Sequence, residues 1–219
     1  MLNIFCIPHN LQSVQLPKSI NSIRSHSFEF CDGLTSLELP DSVITIGNSA
    51  FLHCYRLTDF SMPNSVNTIG DNVFSNCRNL KSINISNNLD SIPYSAFAEC
   101  DKLEIITIPN SVSFIGNNAF YGCASLSSLI IPSNVTSIGK SAFEQCSGLA
   151  SLTISDQLTF IGNRAFNNDY LTTVISLMNN PISIDKEVFS QNTYYNATLY
   201  IHKGTLGTYT AKEHWTDFV

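Results

Sequence analysis

The sequence predicts an α/β repeat solenoid, one short unit copied and stacked along an axis, and two observations carry that prediction. Leu34, Leu57, Leu80, Leu103, Leu126 and Leu149 recur every 23 residues, and a strict period of this length marks a unit that stacks on its own copies. Each copy also repeats the same chemical order. An alternating apolar and polar run is followed by proline or serine, then by a second apolar pair ending in isoleucine and usually glycine, then by a phenylalanine three residues ahead of a cysteine. A chain of 219 residues would otherwise fit one or two globular domains; the period favours a single elongated one. We expect residues 1–170 to form the repeat array, a partial first coil plus seven repeats. Residues 171–219 should form an irregular last coil and a C-terminal cap.

Residues 34–56 show how one coil is built. Leu34, Leu37 and Leu39 are apolar while Ser36 and Glu38 between them are polar, the alternation of a half-buried strand. Pro40-Asp41-Ser42 then ends the strand in a tight turn. Val43 and Ile46 supply a second apolar segment, and Gly47 reads as a corner that needs glycine's backbone freedom. Asn48 and Ser49 read as caps of a short helical turn, since Ala50, Phe51 and Cys54 share one face by their three- and four-residue spacing. Such a coil buries too few apolar side chains to offset the entropy of fixing its own backbone, so the coils must be stacked about 4.8 Å apart. In the other copies Phe28, Phe51, Phe74, Phe97, Phe120, Phe143 and Phe166 form a ladder, with Gly47, Gly70, Gly116, Gly139 and Gly162 at the corner. Arg24 and Pro93 replace that glycine in two coils, and Arg24 marks the first full coil as irregular.

Both ends depart from the frame. Asp169 and Tyr170 break the register, and Leu171 to Leu199 spans 28 residues, an enlarged coil ahead of a last strand whose edge needs covering. Tyr209, Trp215 and Phe218 are expected to supply that cover. At the other end Phe5 takes the ladder position six residues before Leu11, so the sequence opens within a coil. The expectation is that repeats continue upstream, or that a partner covers this face, with the protein a monomer or weakly associated through its uncapped N-terminal end.

Composition narrows function by exclusion. Hydrophobic residues are 43% of the chain, enough for a core, but charged residues are 13% and the net charge is -6. Without a run of Lys or Arg to neutralise phosphates, a nucleic-acid partner is not expected. Membrane insertion is not expected either, because no apolar stretch approaches the roughly 18 residues a spanning helix requires, and the opening residues do not read as a secretory signal.

The cysteines at 31, 54, 77, 100, 123 and 146 fall on the apolar face and lack the paired spacing of zinc sites. They read as free core thiols, although neighbouring coils bring them within reach of disulfide geometry; Cys6 lies off the ladder. His9, His26, His53, His202 and His214 occupy dissimilar repeat positions, so the solenoid gathers no two of them. No nucleophile elbow, phosphate-binding glycine loop or metalloprotease motif occurs, and no cofactor or metal is expected. Asn84-Ile85-Ser86, Asn134-Val135-Thr136 and Asn196-Ala197-Thr198 match the glycosylation sequon, a tripeptide that arises by chance in a chain this rich in Asn, Ser and Thr.

The full frame, L-x-x-L-x-I-P-x-x-V-x-x-I-G-x-x-A-F-x-x-C, resembles the BspA-like class of leucine-rich repeats. Residues 11–166 match it through seven copies, as in Ile108-Pro109, Val112, Ile115-Gly116 and Ala119-Phe120 with Cys123. Asn180-Pro181, Val188-Phe189, Leu199-Tyr200-Ile201, Gly204, Tyr209, Trp215 and Phe218 resemble the family's C-terminal ending, which often has proline where His202 stands. The resemblance implies a right-handed coil with a concave parallel β-sheet and short helical turns on the convex side. It also implies a bacterial surface or secreted protein engaged in adhesion, with a host-derived ligand among the partners it suggests.

Function is then expected on the outward positions, which the repeat leaves free to vary. Two columns supply the candidate ligand-binding residues: Ser36, Asp59, Ser82, Ile105 and Ser128 in one, Glu38, Ser61, Asn84, Thr107 and Ile130 in the other. Glu38 with Asp59 would make an acidic patch, and Ile105 with Ile130 an apolar one. The leading reading is a non-enzymatic recognition module whose partner is a protein or glycan. The alternative is a structural spacer presenting another domain, and an enzyme is the weakest of the three.

Overall fold

In the computed structural model, which describes residues 11–218, the repeat builds a solenoid of stacked coils with a parallel sheet along each of two sides. Phe5, Cys6 and His9 lie outside the described residues. Among the described residues the order is β1 (Ser22–Ile23), β2 (Thr45–Ile46), β3 (Asp59–Ser61), β4 (Thr68–Ile69), β5 (Ser82–Asn84), β6 (Ser91–Ile92) and β7 (Phe114–Ile115). There follow β8 (Ser128–Ile130), β9 (Ser137–Ile138), β10 (Ser151–Ile154), β11 (Phe160–Ile161), β12 (Thr173–Ser176), α1 (Gln191–Asn196), β13 (Thr198–Tyr200) and α2 (Leu206–Thr210).

The alternating segment of each coil gives the first sheet, in which β3 pairs with β5 and β8, β10, β12 and β13 pair in turn; an isolated bridge from Ser82 to Ile105 continues it between the two groups. The second apolar segment gives the second sheet, β1-β2-β4 and β6-β7-β9-β11. Its interruption between β4 and β6 falls at Pro93. In other coils the corner glycine donates its N–H to an isoleucine carbonyl of the preceding coil, Gly47 to Ile23 and Gly139 to Ile115 at 2.8 Å, and proline has no N–H to give.

Between the sheets a column of aromatic rings runs through a core otherwise made mainly of leucine, isoleucine, valine, alanine and cysteine. Phe28, Phe51, Phe74, Phe97, Phe120, Phe143 and Phe166 are buried and stack nearly parallel with centroids 5.0 to 5.6 Å apart, and Phe189 adds an eighth ring at 5.8 Å. The 23-residue beat therefore persists beyond 166, since Phe166 and Phe189 also form a backbone bridge. The extra residues before β13 hold α1, whose first turn is capped by Ser190. Trp215, Phe218 and Tyr194 meet Phe189 edge-on, and the buried Tyr209 hydroxyl donates to the Met178 carbonyl at 2.9 Å and accepts from the Ser176 hydroxyl at 2.6 Å.

The expected helical turns are not helices, and the class is a β-solenoid rather than α/β. Residues 48–53 and their equivalents are runs of turns in which N–H groups alternate between two acceptors. Ser49, Phe51 and His53 donate to Asp71, Val73 and Ser75 of the next coil at 2.8 to 3.0 Å, while Ala50, Leu52 and Cys54 donate three residues back. An α-helix would spend all of these donors within its own coil. The alternation is made possible by two left-handed residues per coil, Ser49 and His53 here, with Asn72 and Asn76, Ser95 and Glu99, and Ser141 and Gln145 at the same places. Each non-glycine costs roughly 1 to 2 kcal/mol in that conformation, which the inter-coil bonds must offset.

The corner glycines are also there for a different reason from the one read off the sequence. None of the five has positive φ; a Cβ on Gly47, Gly70, Gly116, Gly139 or Gly162 would lie 2.2 to 2.7 Å from atoms of the preceding coil. They permit close approach. Gly122 is the contrasting case, with φ of 72° at the second left-handed position.

The thiol column is structural. Cys54, Cys77, Cys100, Cys123 and Cys146 are free and buried, and each donates to the carbonyl of the phenylalanine one coil back, Cys54 to Phe28 at 3.1 Å and Cys146 to Phe120 at 3.2 Å. Burial raises the pKa of Cys77, Cys100 and Cys123, which keeps these thiols protonated. Cys31 corrects the expectation, since it is disulfide-bonded.

The two kinds of glycine should separate experimentally. Gly139→Ala drives a methyl into the Asn117 backbone and should cost about 3 kcal/mol, whereas Gly122→Ala imposes left-handed strain and meets only the flexible end of Glu99, at 3.2 Å, and should cost about 1 kcal/mol. Urea unfolding measures both, and equal losses would contradict the assignment.

Candidate functional site

Because strands alternate, every second side chain of the first sheet faces water. The register places Asp59 beside Ser82 and Ser61 beside Asn84, and Ser128 and Ile130 beside Ser151 and Thr153. All ten predicted residues, Ser36, Glu38, Asp59, Ser61, Ser82, Asn84, Ile105, Thr107, Ser128 and Ile130, are exposed.

They are not brought together as one site. Ser61, Ser82, Asn84, Ile105 and Thr107 share a groove of about 710 Å³ that Met62, Pro63 and Asn64 also line. Ser36 and Glu38 line a separate groove of about 400 Å³ with Gln15 and Lys18. Ser128 and Ile130 belong to neither groove and lie on β8. Among the described residues Ile105 and Ile130 are the most exposed large apolar side chains, at 70% and 69%.

The acidic pair is divided as well. The Ser82 hydroxyl donates to Asp59 Oδ1 at 2.7 Å, and that bond, followed by one from Thr58, holds the Asp59 carboxyl below its ordinary 3.8. Its carboxylate is engaged along the sheet, whereas Glu38 faces the other groove.

Two residues of the outward face escaped the sequence columns, which stop where the register breaks. Ile130, Thr153, Ile175 and Tyr200 are successive neighbours across β8, β10, β12 and β13. Tyr200 is exposed and Ile175 half-buried. The spacing there is 22 residues and then 25 rather than 23, and the signal that finds them is the alternation within Thr173-Val174-Ile175-Ser176 and Thr198-Leu199-Tyr200.

Much of the remaining polar surface serves the stack. Thr35, Thr136, Thr159 and Thr172 each donate to a carbonyl of the preceding coil at 3.0 to 3.2 Å. Asn48, Asp71 and Asn117 accept the N–H of their equivalents one coil on, at 2.8 to 3.1 Å. His26, His53 and His214 engage Glu29, Tyr55 and Asp217 within their own segments. Among the described residues no group of three or more His, Cys, Asp or Glu is placed to hold a metal ion, and no helix is long and apolar enough to cross a membrane.

The family described as BspA type leucine rich repeat region (6 copies) matches residues 2–126 and 113–210. No curated protein matches the chain by sequence. Three solved structures share the fold. A leucine-rich repeat protein of T. pallidum is 24% identical with a TM-score of 0.52, over 67% of this chain and 79% of that one. One from Eubacterium ventriosum is 23% identical with a TM-score of 0.64, over 69% and 41%. One from Bacteroides ovatus is 24% identical with a TM-score of 0.58, over 89% and 58%. The match thus spans about half the length of the last two proteins.

The Asp59–Ser82 bond has a pH signature. A carboxyl whose folded pKa is lowered contributes stability above its unfolded pKa and loses it as the pH falls through the folded value. In Ser82→Ala the Asp59 pKa, followed by NMR, should rise toward 3.8; an unchanged value would show that the bond is not the cause.

Proposed function

The chain belongs to the family of BspA type leucine rich repeats, and on that premise we propose a non-enzymatic recognition module whose first sheet binds a protein partner across several coils. One observation carries the reading: the outward face of this sheet holds apolar side chains that the stack does not use. Ile105 and Ile130 stand clear of the core, and Ile175 and Tyr200 extend the Ile130 column across three further strands. A β-branched residue on a strand can reflect β propensity alone. A row of them ending in an exposed tyrosine, beside a polar groove, matches the anchor-and-rim composition of protein interfaces.

The polar half of the face complements the apolar one. Ser61, Ser82, Asn84 and Thr107 in the groove beside Ile105 offer hydroxyl and amide groups that donate and accept, and these set orientation while the apolar column supplies buried area. Placement at the surface of a bacterial cell or outside it, with a role in adhesion, is part of the same proposal and rests on the family resemblance alone.

The competing reading is a spacer that only sets length. A protein array probed with the wild type and with Ile105→Glu/Ile130→Glu separates them, because both positions are exposed and melting should not change. Recognition predicts at least about a tenfold loss of binding, or 1.4 kcal/mol, to every protein the wild type captures. Equal capture by the variant would contradict it.

A further inference from the structure

Among the described residues β13 is the end strand of the first sheet, paired with β12 on one side and with no strand on the other. We propose that this open edge binds an extended segment of a protein partner, which adds to the sheet as a further strand.

The backbone of β13 shows what the edge can accept. The Thr198 N–H donates to the Thr172 carbonyl at 2.9 Å, so Thr198 and Tyr200 turn their backbone groups toward β12, and the alternation of a parallel ladder turns those of Leu199 and Ile201 away from it. Among the described residues no carbonyl accepts from either of these two N–H groups. Edge strands are commonly blunted by charge or proline, and Thr198-Leu199-Tyr200-Ile201 has neither.

The inward side of the same residues is also incomplete. Register aligns Leu129, Leu152, Val174 and Leu199 in one inward column; the first three are buried, whereas Leu199 is half-buried, as is Ile201. The cap accounts for the difference. Trp215 and Phe218 close the ring column over Phe189 but leave a groove of about 430 Å³, which Leu199, Ile201, Leu206, Tyr209, Trp215 and Phe218 line and no charged residue does. Leu206 of α2 is 66% exposed.

An occupant must therefore meet two demands at once, backbone donors and acceptors at every second residue and an apolar groove beside them. A lipid chain fills the groove but pairs no N–H; a sugar pairs the N–H but sets hydroxyls against leucine and tryptophan. An extended polypeptide with apolar side chains at alternate positions meets both.

This edge is distinct from the outward face on which the proposed function rests, and neither reading needs the other. The test selects a displayed library of random peptides of about twelve residues on the whole chain and follows the enriched peptides by calorimetry and amide exchange. They should alternate apolar residues, bind with a Kd of about 100 μM or tighter and slow exchange of the Leu199 and Ile201 amides by about tenfold or more. Methylating alternate amide nitrogens of the peptide should abolish binding in one of the two phases. Leu206→Glu should weaken it by about tenfold without changing melting, and Ile105→Glu/Ile130→Glu should leave it unchanged. The proposal is overturned if no peptide binds at about 1 mM, if bound peptides leave both amides unprotected, or if the face variant loses binding while Leu206→Glu keeps it. It is equally overturned if self-association of the chain protects the same two amides without any peptide, which would make a second copy the occupant.

Discussion

Everything in this molecule depends on the N–H groups that each coil hands to the next. Phe28, Phe51, Phe74, Phe97, Phe120 and Phe143 each donate to a carbonyl of the following coil at 2.8 Å, and Phe166 does so at 2.9 Å. Their rings stack in the same column, so one residue per coil sets both the backbone spacing and the core. The other features accommodate that constraint. Left-handed residues on either side of the phenylalanine turn alternate N–H groups toward the neighbour, corner glycines let the backbones close up, and cysteine thiols satisfy the remaining lone pairs of the phenylalanine carbonyls. Interactions with only the adjacent coil make stability a sum over neighbours, and a single disordered coil would uncouple the array on either side of it.

The period, the two extended segments, the core columns and the family were legible because they follow from which residues recur and how far apart they stand. The conformation of the turn run was not. Ala50, Phe51 and Cys54 would share an inward face on a helix, and the observed turns present the same three residues to the core, so hydrophobic spacing cannot distinguish them. Serine, asparagine and histidine at the left-handed positions were the available signal, since Asn is among the residues that tolerate that region. Gly47 was rightly singled out as a corner, but a one-dimensional reading cannot tell a glycine required by φ from one required by a neighbour 23 residues away. The Cys31 disulfide was missed because a regular column of cysteines argues for one environment throughout.

The outward face was legible in its members and not in its grouping. Alternation identifies which side chains leave the core, and all ten candidates are exposed. How those side chains divide into grooves depends on the twist and offset of successive coils, which the repeat does not encode. The same limit explains why Ile175 and Tyr200 escaped: pairing continued across β10, β12 and β13 while the numbering changed beneath it. Low charge has a related origin. A surface of Ser, Thr and Asn is what remains when exposed side chains must bond to the neighbouring coil's backbone, so composition here speaks first of stacking and only then of any ligand.

The central claim, that inter-coil donation through the turn runs makes the array one cooperative body, is tested most directly by native-state hydrogen exchange. The account predicts that the amides of Phe51, Phe74, Phe97, Phe120 and Phe143 exchange only through opening of the whole array, with free energies equal to that of global unfolding. Exchange of these five amides at the rates of exposed turns, while the sheet amides stay protected, would contradict it.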